Sequence, residues 1–446
     1  MVKYFDEDLN KDKSLFKTSN DEPTPIRCVE EMISKIPEDF WKCPDVKILD
    51  PCCGCGNFGL VIYHKLIPHH PHEHIVKNIL FFNDTNEIRI KILKDVFGED
   101  LNIYTQDYLK LKLEFTFDLI VANPPYALIT NGKRASKNHN LIGRFMEKSL
   151  LELSKDGYLM YITPDNWMSY SDRNTLISKL TSLQFLYINI HTAKKYFKKI
   201  GSSFVWFLLK NKRYTEGYRV DGTWKGEAYS SMVLSGESRF IPLFHTRDTQ
   251  IILDNTVRNK DLPKFQVETT SFLHRYTKKD LITNEKTPEN PYRLIHTPSQ
   301  TVWSKIPHKF QTGYKVFIPT TTYFTPFIDD CGMTQSIAFI RCKSLEEATS
   351  VLNILRHPLY KFINDICRYG NFNNIRVLQK LPVPKNSDDI LGSLNNLSNK
   401  QIRDFSFNPD LQLDYVNNLV KQQQDKIFDL SFNSITETTI FDNQIS

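Results

Sequence analysis

Asn123-Pro124-Pro125-Tyr126 sets a neutral acceptor, a rigid bend and an aromatic ring in four consecutive positions. These residue types suit one task, the holding of a planar amine. The Asn123 side-chain oxygen accepts a hydrogen bond, a residue ahead of a proline keeps an extended backbone that presents its carbonyl, and the Tyr126 ring offers a face for stacking. Ahead of them Phe117 to Ala122 is apolar and β-branched, as in a parallel strand covered on both faces. Neither proline can extend that strand or freely begin a helix, so the chain must turn at Asn123. Ligands of open parallel sheets bind outside the carboxyl ends of the strands, so a reacting group is expected here. The plainer alternative is a loop that merely ends a strand.

A second group lies upstream. Lys47 to Asp50 reads as a short strand running into Pro51-Cys52-Cys53-Gly54-Cys55-Gly56-Asn57-Phe58-Gly59, after which Leu60 to Leu66 reads as a helix. In that setting glycines let the backbone approach a ligand, and a helix start favours a carboxylate or phosphate, which points to a nucleotide-like cofactor. The next strand, Ile79 to Phe82, ends at Asn83-Asp84, and an acid at this tip is placed to bind ribose hydroxyls. A third strand, Leu101 to Tyr104, leads to Gln106-Asp107-Tyr108, adding an acid and a ring on the same edge.

Around these residues the chain alternates as a doubly wound α/β sheet does. Thr24 is a fair cap with Pro25 at the first helical position, and Ile26, Val29, Met32, Ile33 and Ile36 keep an amphipathic spacing up to Pro37. Helices are expected at Phe145 to Ser154 and Arg173 to Leu183, and strands at Gly157 to Thr163, Phe185 to Ile190 and Ser203 to Leu209. Residues 1–20 read as a flexible lead-in and 21–212 as the catalytic domain. Residues 213–385 read as a second domain of irregular strands and loops, closing with a strand at Ser336 to Arg341 and helices at Leu345 to Leu355 and Leu359 to Cys367. Residues 386–446 are an Asn- and Ser-rich extension, helical or partly disordered, with weakly amphipathic stretches at Ile402 to Phe407 and Val416 to Leu430.

Composition sets the outer bounds. The 446 residues are 40% hydrophobic and 24% charged with a net charge of +6, a globular chain long enough for two cores and leaning toward a polyanionic partner. No apolar run approaches the roughly 20 residues of a membrane span, and Met1 to Asn10 lacks an apolar signal core, so a cytoplasmic place without membrane contact is expected. The eight cysteines, three of them in one loop, do not suit a secreted disulfide framework. Zinc on Cys52, Cys53 and Cys55 would block the cofactor loop, and His69-His70-Pro71-His72-Glu73-His74 reads as a solvated loop, so no metal is expected. Lys194, Lys195, Lys198 and Lys199 read either as a solvated face or as phosphate contacts.

On Thr24-Pro25, Asp50 through Phe58, Asp84, Asp107-Tyr108, Asn123 through Tyr126 and Phe145-Met146-Glu147-Lys148, the sequence resembles the class I S-adenosylmethionine-dependent methyltransferases. Within them it is similar to the gamma-class, Taq-type amino-methyltransferases that modify adenine in DNA. The likeness continues more loosely through Lys195 to Lys199 and Val205 to Lys210. Leu352-Asn353 and Leu378 to Val383 look like the end of that family's target-recognition domain. The resemblance implies a Rossmann-like methyltransferase sheet followed by a C-terminal α+β target-recognition domain. It further implies S-adenosylmethionine as cofactor, and double-stranded DNA as partner of a monomer. The implied reaction is site-specific methylation of adenine N6, as by the modification component of a restriction-modification system, a setting in which a cognate restriction endonuclease acts on the same site.

Residue roles follow from the same likeness. Asp50, Cys52, Phe58 and the Gly54/Gly56 turn would hold the methionine moiety, with Thr24-Pro25 closing over it and Asn123 beside it. Asp84 would bind the ribose, Asp107 and Tyr108 the cofactor's adenine, and Phe145 would pack on that ring. Asn123 and the Pro124 carbonyl would accept both hydrogens of the target amine. A flipped base would stack between Tyr126 and Phe197, with Tyr196 as the adjacent alternative. Cys53 and Cys55 depart from the small or hydroxyl residues common there, yet stay small enough for the turn. In the second domain Lys305, His308, Lys309, Lys315, Arg341 and Arg368 are available to phosphates or base edges, with Tyr369 or Phe372 near the cleft. Other readings are methylation of RNA adenine or of a protein glutamine, and an idle DNA-binding subunit. With about twenty residues ahead of Thr24, a bifunctional restriction-methylation enzyme is not expected.

Overall fold

Four short apolar runs, β1 (Ile48–Asp50), β2 (Leu80–Asn83), β3 (Asn102–Tyr104) and β4 (Phe117–Ala122), pair in parallel in the order β3-β2-β1-β4. Because β2 follows β1 on one side while β4 joins it on the other, the winding reverses between β1 and β4, and that reversal opens a crevice at their carboxyl ends. Asp50 closes one of these strands and Asn123 follows the other. The computed structural model describes residues 3–12, 14–15, 22–126, 129–130, 133–134, 141–169, 175–197, 203–215, 219–231, 240–398 and 401–402. The stretch Val416 to Leu430, and Ile402 to Phe407 beyond its first residue, lie outside them.

After a hairpin of β5 (Ile129–Thr130) and β6 (Lys133–Arg134), β7 (Leu153–Pro164) continues the sheet in parallel beside β4. β8 (Leu183–Ile190) and β9 (Phe204–Arg213) follow, with β9 running antiparallel between β7 and β8, so the sheet is mixed. The helices of this unit are α1 (Ile26–Ile33), α2 (Asn57–Leu66), a single turn α3 (His72–His74), α4 (Glu87–Phe97), α5 (Leu141–Glu152) and α6 (Thr175–Thr181). Ile26, Val29, Met32 and Ile33 bury one face of α1 against a core that also takes Leu119, Val121, Trp206 and Leu208 from the sheet.

Three expectations are corrected. The lead-in is packed where it is described: Tyr4–Asp8 and Leu9–Lys11 form helical turns, and Phe5, Leu9 and Leu15 are buried. This segment also moves the start of α1. Pro25 stands at the cap position and Ile26 opens the helix, whose first free N–H is accepted by Asp6 Oδ1 at 3.1 Å instead of by Thr24. Finally, the first unit runs past Lys212, because β10 (Val220–Trp224) adds in parallel to the open edge of β8 and β11 (Glu227–Ser231) pairs with β10. Gly222 permits the approach, since a Cβ there would stand 2.8 Å from the Ile188 carbonyl. The chain divides into Met1–Arg247 and Asp248–Ser446.

In the second unit the strands are β12 (Glu268–Thr269), β13 (Ile282–Thr283), β14 (Tyr292–Thr297), β15 (Gln300–Ser304), β16 (Lys315–Pro319), β17 (Phe327–Asp329), β18 (Gly332–Met333) and β19 (Ile337–Arg341). They form two four-stranded sheets, β12-β19-β16-β17 and β13-β15-β14-β18. Helices α7 (Arg247–Asn255), α8 (Leu345–Leu355), α9 (Pro358–Asp365), α10 (Ile375–Leu378) and α11 (Ile390–Ser393) complete an α+β architecture, as expected. Among the described residues no helix is long and apolar enough to cross a membrane.

Candidate active site

The loop after β1 turns back on itself through Gly54 at φ 55° and Gly56 at φ 91°, left-handed conformations that a side chain would strain. A Cβ on Gly56 would also lie 2.6 Å from Leu93 Cδ2 of α4, so that side chain would have to shift. The loop is fastened to β2 from below. Cys53 N–H donates to the Asn83 carbonyl at 3.0 Å, and Gly54 N–H donates to Asp84 Oδ2 at 3.0 Å. Asp50 sits under the turn, 3% exposed, with Oδ1 accepting from Cys52 N–H at 3.3 Å. Its Oδ2 is buried with no hydrogen-bond partner. Burial first, and then the neighbouring charge of Asp84, pushes the Asp50 carboxyl well above the usual carboxylate range. An unmet buried carboxylate oxygen beneath glycine backbone fits a ligand that brings a cation. Burial likewise raises the Cys53 thiol, which argues against a thiolate nucleophile.

Across the crevice Asn123 is held by its nitrogen. Nδ2 donates to the Glu22 carbonyl at 2.8 Å and to Thr24 Oγ1 at 3.1 Å, while Oδ1 accepts from the Tyr126 hydroxyl at 2.9 Å. Asn57, at the start of α2, donates to the Thr24 carbonyl at 2.7 Å and to Asn10 Oδ1 at 3.0 Å, which fixes residues 22–24 against the glycine loop. Thr24, Cys52, Gly54, Phe58 and Asn123 thus line one cleft. The half-buried Tyr126 ring lies beside Phe204, with centroids 6.2 Å apart.

Other expected site residues are placed differently. Asp84 is 7% exposed, and its carboxylate accepts from Gly54 N–H, from Asn86 N–H at 2.8 Å and from Arg89 at 3.4 Å. In this conformation it staples the loop to α4. Asp107 is exposed, accepts from Leu109 N–H at 3.1 Å and pairs with Lys110 at 3.6 Å. The Tyr108 and Phe145 rings are buried against each other at 5.3 Å, and the Tyr108 hydroxyl donates to Glu152 at 2.5 Å, so both are packing groups here. Phe197 is 2% exposed and stacked on Phe204 at 4.4 Å, which removes it as a base-stacking ring in this conformation; Tyr196 donates to Glu31 at 2.8 Å. Lys195 pairs with Glu31 at 2.9 Å, while Lys198 and Lys199 lie outside the described residues.

Half of the basic residues expected to meet DNA are inside the second unit. Lys315 is 1% exposed and donates to the Thr312, Gly313 and Asp330 carbonyls. His308 is buried, which lowers its pKa to about 4, and Arg368 and Tyr369 are buried as well. Arg341 pairs with Glu268 at 2.6 Å and Lys305 with Glu289 at 3.6 Å. Glu22 and Arg89 were not anticipated, and for Asn57, quoted only as part of the loop, no role was. For Arg89 a signal existed, since Asn86-Glu87 is a good helix start, and Asn86 does cap α4 by accepting from Ile88 and Arg89 N–H.

Residues 58–197 match the Eco57I restriction-modification methylase family. No curated protein matches the chain by sequence. The structure is similar to the type ISP restriction-modification enzyme LlaGI, solved as a nuclease-deletion mutant in complex with a DNA substrate mimic, at 14% identity and TM-score 0.54 over 87% of this chain and 55% of that one. It is also similar to the type IIL restriction-modification enzyme MmeI in complex with DNA, at 10% identity and TM-score 0.50 over 94% of this chain and 78% of that one. A modification subunit of a putative type I restriction enzyme from Vibrio vulnificus YJ016 aligns at 12% identity and TM-score 0.37 over 49% of this chain and 48% of that one. The chain therefore spans about half the length of several solved structures it matches. At these identities the likenesses to LlaGI and MmeI establish a shared α/β fold.

Proposed function

We propose that the protein transfers a methyl group from S-adenosylmethionine to the exocyclic N6 amine of adenine in double-stranded DNA at one short sequence, as the modification activity of a restriction-modification system. The observation that carries this reading is the state of Asn123. Both hydrogens of Nδ2 are spent on Glu22 and Thr24, so what this cleft-lining amide has left to offer a ligand is an oxygen, an acceptor suited to an amine and not to a carbonyl. The match of residues 58–197 to a restriction-modification methylase family supports the same reaction class.

S-adenosylmethionine supplies an electrophilic methyl on a sulfonium when it is bound. Asp50 Oδ2, buried without a partner beneath the loop, would hold the amino end of the methionine moiety, with Gly54 and Phe58 of the cleft lining beside it. The lone pair of an adenine amine is delocalised into its ring. Accepting one N–H on Asn123 Oδ1 and the other on the Pro124 carbonyl draws the nitrogen toward tetrahedral geometry, and orientation supplies much of the acceleration. A paired base cannot reach such a cleft, so it is flipped out, with the Tyr126 ring as the stacking face. No covalent enzyme intermediate is needed.

The test is to expose duplex DNA to the protein with S-adenosylmethionine and sequence it for modified adenine. One motif methylated nearly to completion is expected, and Asn123→Ala should abolish it while leaving cofactor binding nearly intact. Label entering RNA or protein instead, or adenines methylated at random, would overturn the reading.

A further inference from the structure

Thr24 lies 99 residues from Asn123 in sequence, yet its hydroxyl oxygen is 3.1 Å from the Asn123 amide nitrogen. A primary amide has two donors and two acceptor lone pairs, and its two ends are nearly the same shape. What distinguishes them is the partner each end meets. The Glu22 carbonyl can only accept, so the atom 2.8 Å from it must be the nitrogen. Thr24 Oγ1 takes the second hydrogen, and the Tyr126 hydroxyl occupies one lone pair of the oxygen at 2.9 Å. Three of the four valences of this amide are thereby met inside the protein. The fourth is a single acceptor site.

Thr24 is itself held in place. It is 3% exposed, and its carbonyl accepts from Asn57 Nδ2 at 2.7 Å, which ties it to the first residue of α2 behind the glycine loop. The segment ahead of α1 therefore has its own task at the acceptor end of the cleft, distinct from closing over the cofactor. Without the threonine oxygen, one amide hydrogen of Asn123 loses its partner, and the amide is freer to turn its nitrogen into the cleft. A nitrogen there would meet the target amine donor to donor.

We propose that Thr24 is a positioning residue for the methyl transfer: its hydroxyl oxygen holds the Asn123 amide with Oδ1 toward the target amine. This rests on the function proposed above, for which Asn123 Oδ1 is the amine acceptor.

The experiment compares Thr24→Val, which keeps shape and removes the acceptor, with Thr24→Ser, which keeps the acceptor. With full-length protein and duplex DNA, Thr24→Val should lower kcat by roughly tenfold, the scale of one hydrogen bond, with S-adenosylmethionine Kd within about twofold of the wild type. Thr24→Ser should restore kcat to within about threefold. A second readout is independent of turnover. The side-chain amide protons of Asn123, assigned by their loss from the NMR spectrum of Asn123→Asp, should exchange with solvent several-fold faster in Thr24→Val and near the wild-type rate in Thr24→Ser. Unchanged exchange in Thr24→Val overturns the inference, as does a loss of kcat that serine fails to rescue or that tracks cofactor Kd. If the wild type methylates no DNA yet the exchange pattern holds, the proposed function falls and the positioning contact stands.

Discussion

At the scale of single residues, Asp50 shows how a site can be built against stability. Its folded-state pKa is raised, so the folded protein binds that proton more tightly than the unfolded chain does. For an acid shifted in this direction, stability is lost as pH rises from the ordinary carboxylate range through the raised value, and at neutral pH the group opposes folding. Asp50→Asn removes that opposition. The variant without cofactor should therefore melt at or above the wild-type temperature at pH 7, while its S-adenosylmethionine affinity falls by about ten- to a hundredfold, the loss of one charged hydrogen bond. Thermal melts with and without the cofactor measure both, and a less stable variant that still binds normally would refute this account of Asp50. The sequence makes Asp50 and Asn123 legible because each ends an apolar run at a turn that glycine or proline enforces. It does not tell which way a ring points. Phe197 and Phe145 were read toward ligands, yet Phe197 stacks on Phe204 and Phe145 packs at a tilt against Tyr108. Such choices depend on neighbours that sequence spacing does not reveal.

Between elements, the glycine loop depends on a buried ion pair. Asp84 and Arg89, at 7% and 8% side-chain exposure, join β2 to α4, and the guanidinium also donates to the Leu15 carbonyl at 2.5 Å. The place of this acid at a strand tip was legible in the sequence, whereas its partners were not. The alternation of strands and helices leaves β2 at the ligand edge, but α4 and the described lead-in, which bring Arg89 and Leu15 to the same place, were not read as packed structure. Two accounts of Asp84 can now be separated. If it acts by fastening the loop, Arg89→Met should weaken S-adenosylmethionine binding much as Asp84→Ala does. Breaking a buried pair from either side should also cost about 3 to 5 kcal/mol of folding stability in chemical denaturation. Should Arg89→Met bind cofactor normally while Asp84→Ala does not, Asp84 contacts the ribose directly, as the family resemblance implies.

For the molecule as a whole, the boundary between units decides which fragments can be tested. A cut near Lys212, where composition changes, would remove β10 and β11, with Val220 and Trp224 that are each 1% exposed in the intact chain, and leave β8 with a row of unpaired backbone groups along an open edge. A bare strand edge of that kind invites aggregation. Residues 1–247 keep the sheet complete, so this fragment should fold and bind S-adenosylmethionine nearly as tightly as the full chain, whereas residues 1–212 should aggregate or unfold. If the second unit carries sequence recognition, the 1–247 fragment should fail to methylate duplex DNA at a single motif, although its chemistry is intact. The surface of that unit offers means for contact: Phe272 and Tyr276 are 44% and 62% exposed in a loop that also carries Arg275, Lys278 and Lys279. Phosphate contacts from such a loop make affinity fall steeply with salt, while lost base contacts relax specificity by about 1 to 3 kcal/mol per base pair. Full-length protein should accordingly lose DNA affinity as salt rises, and replacing Lys278 and Lys279 together by Ala should flatten that slope by roughly two charges without changing which motif is methylated. An unchanged slope would move the phosphate contacts off this loop, and a fragment of residues 1–247 that methylates the same motif as the full chain would move recognition out of the second unit altogether.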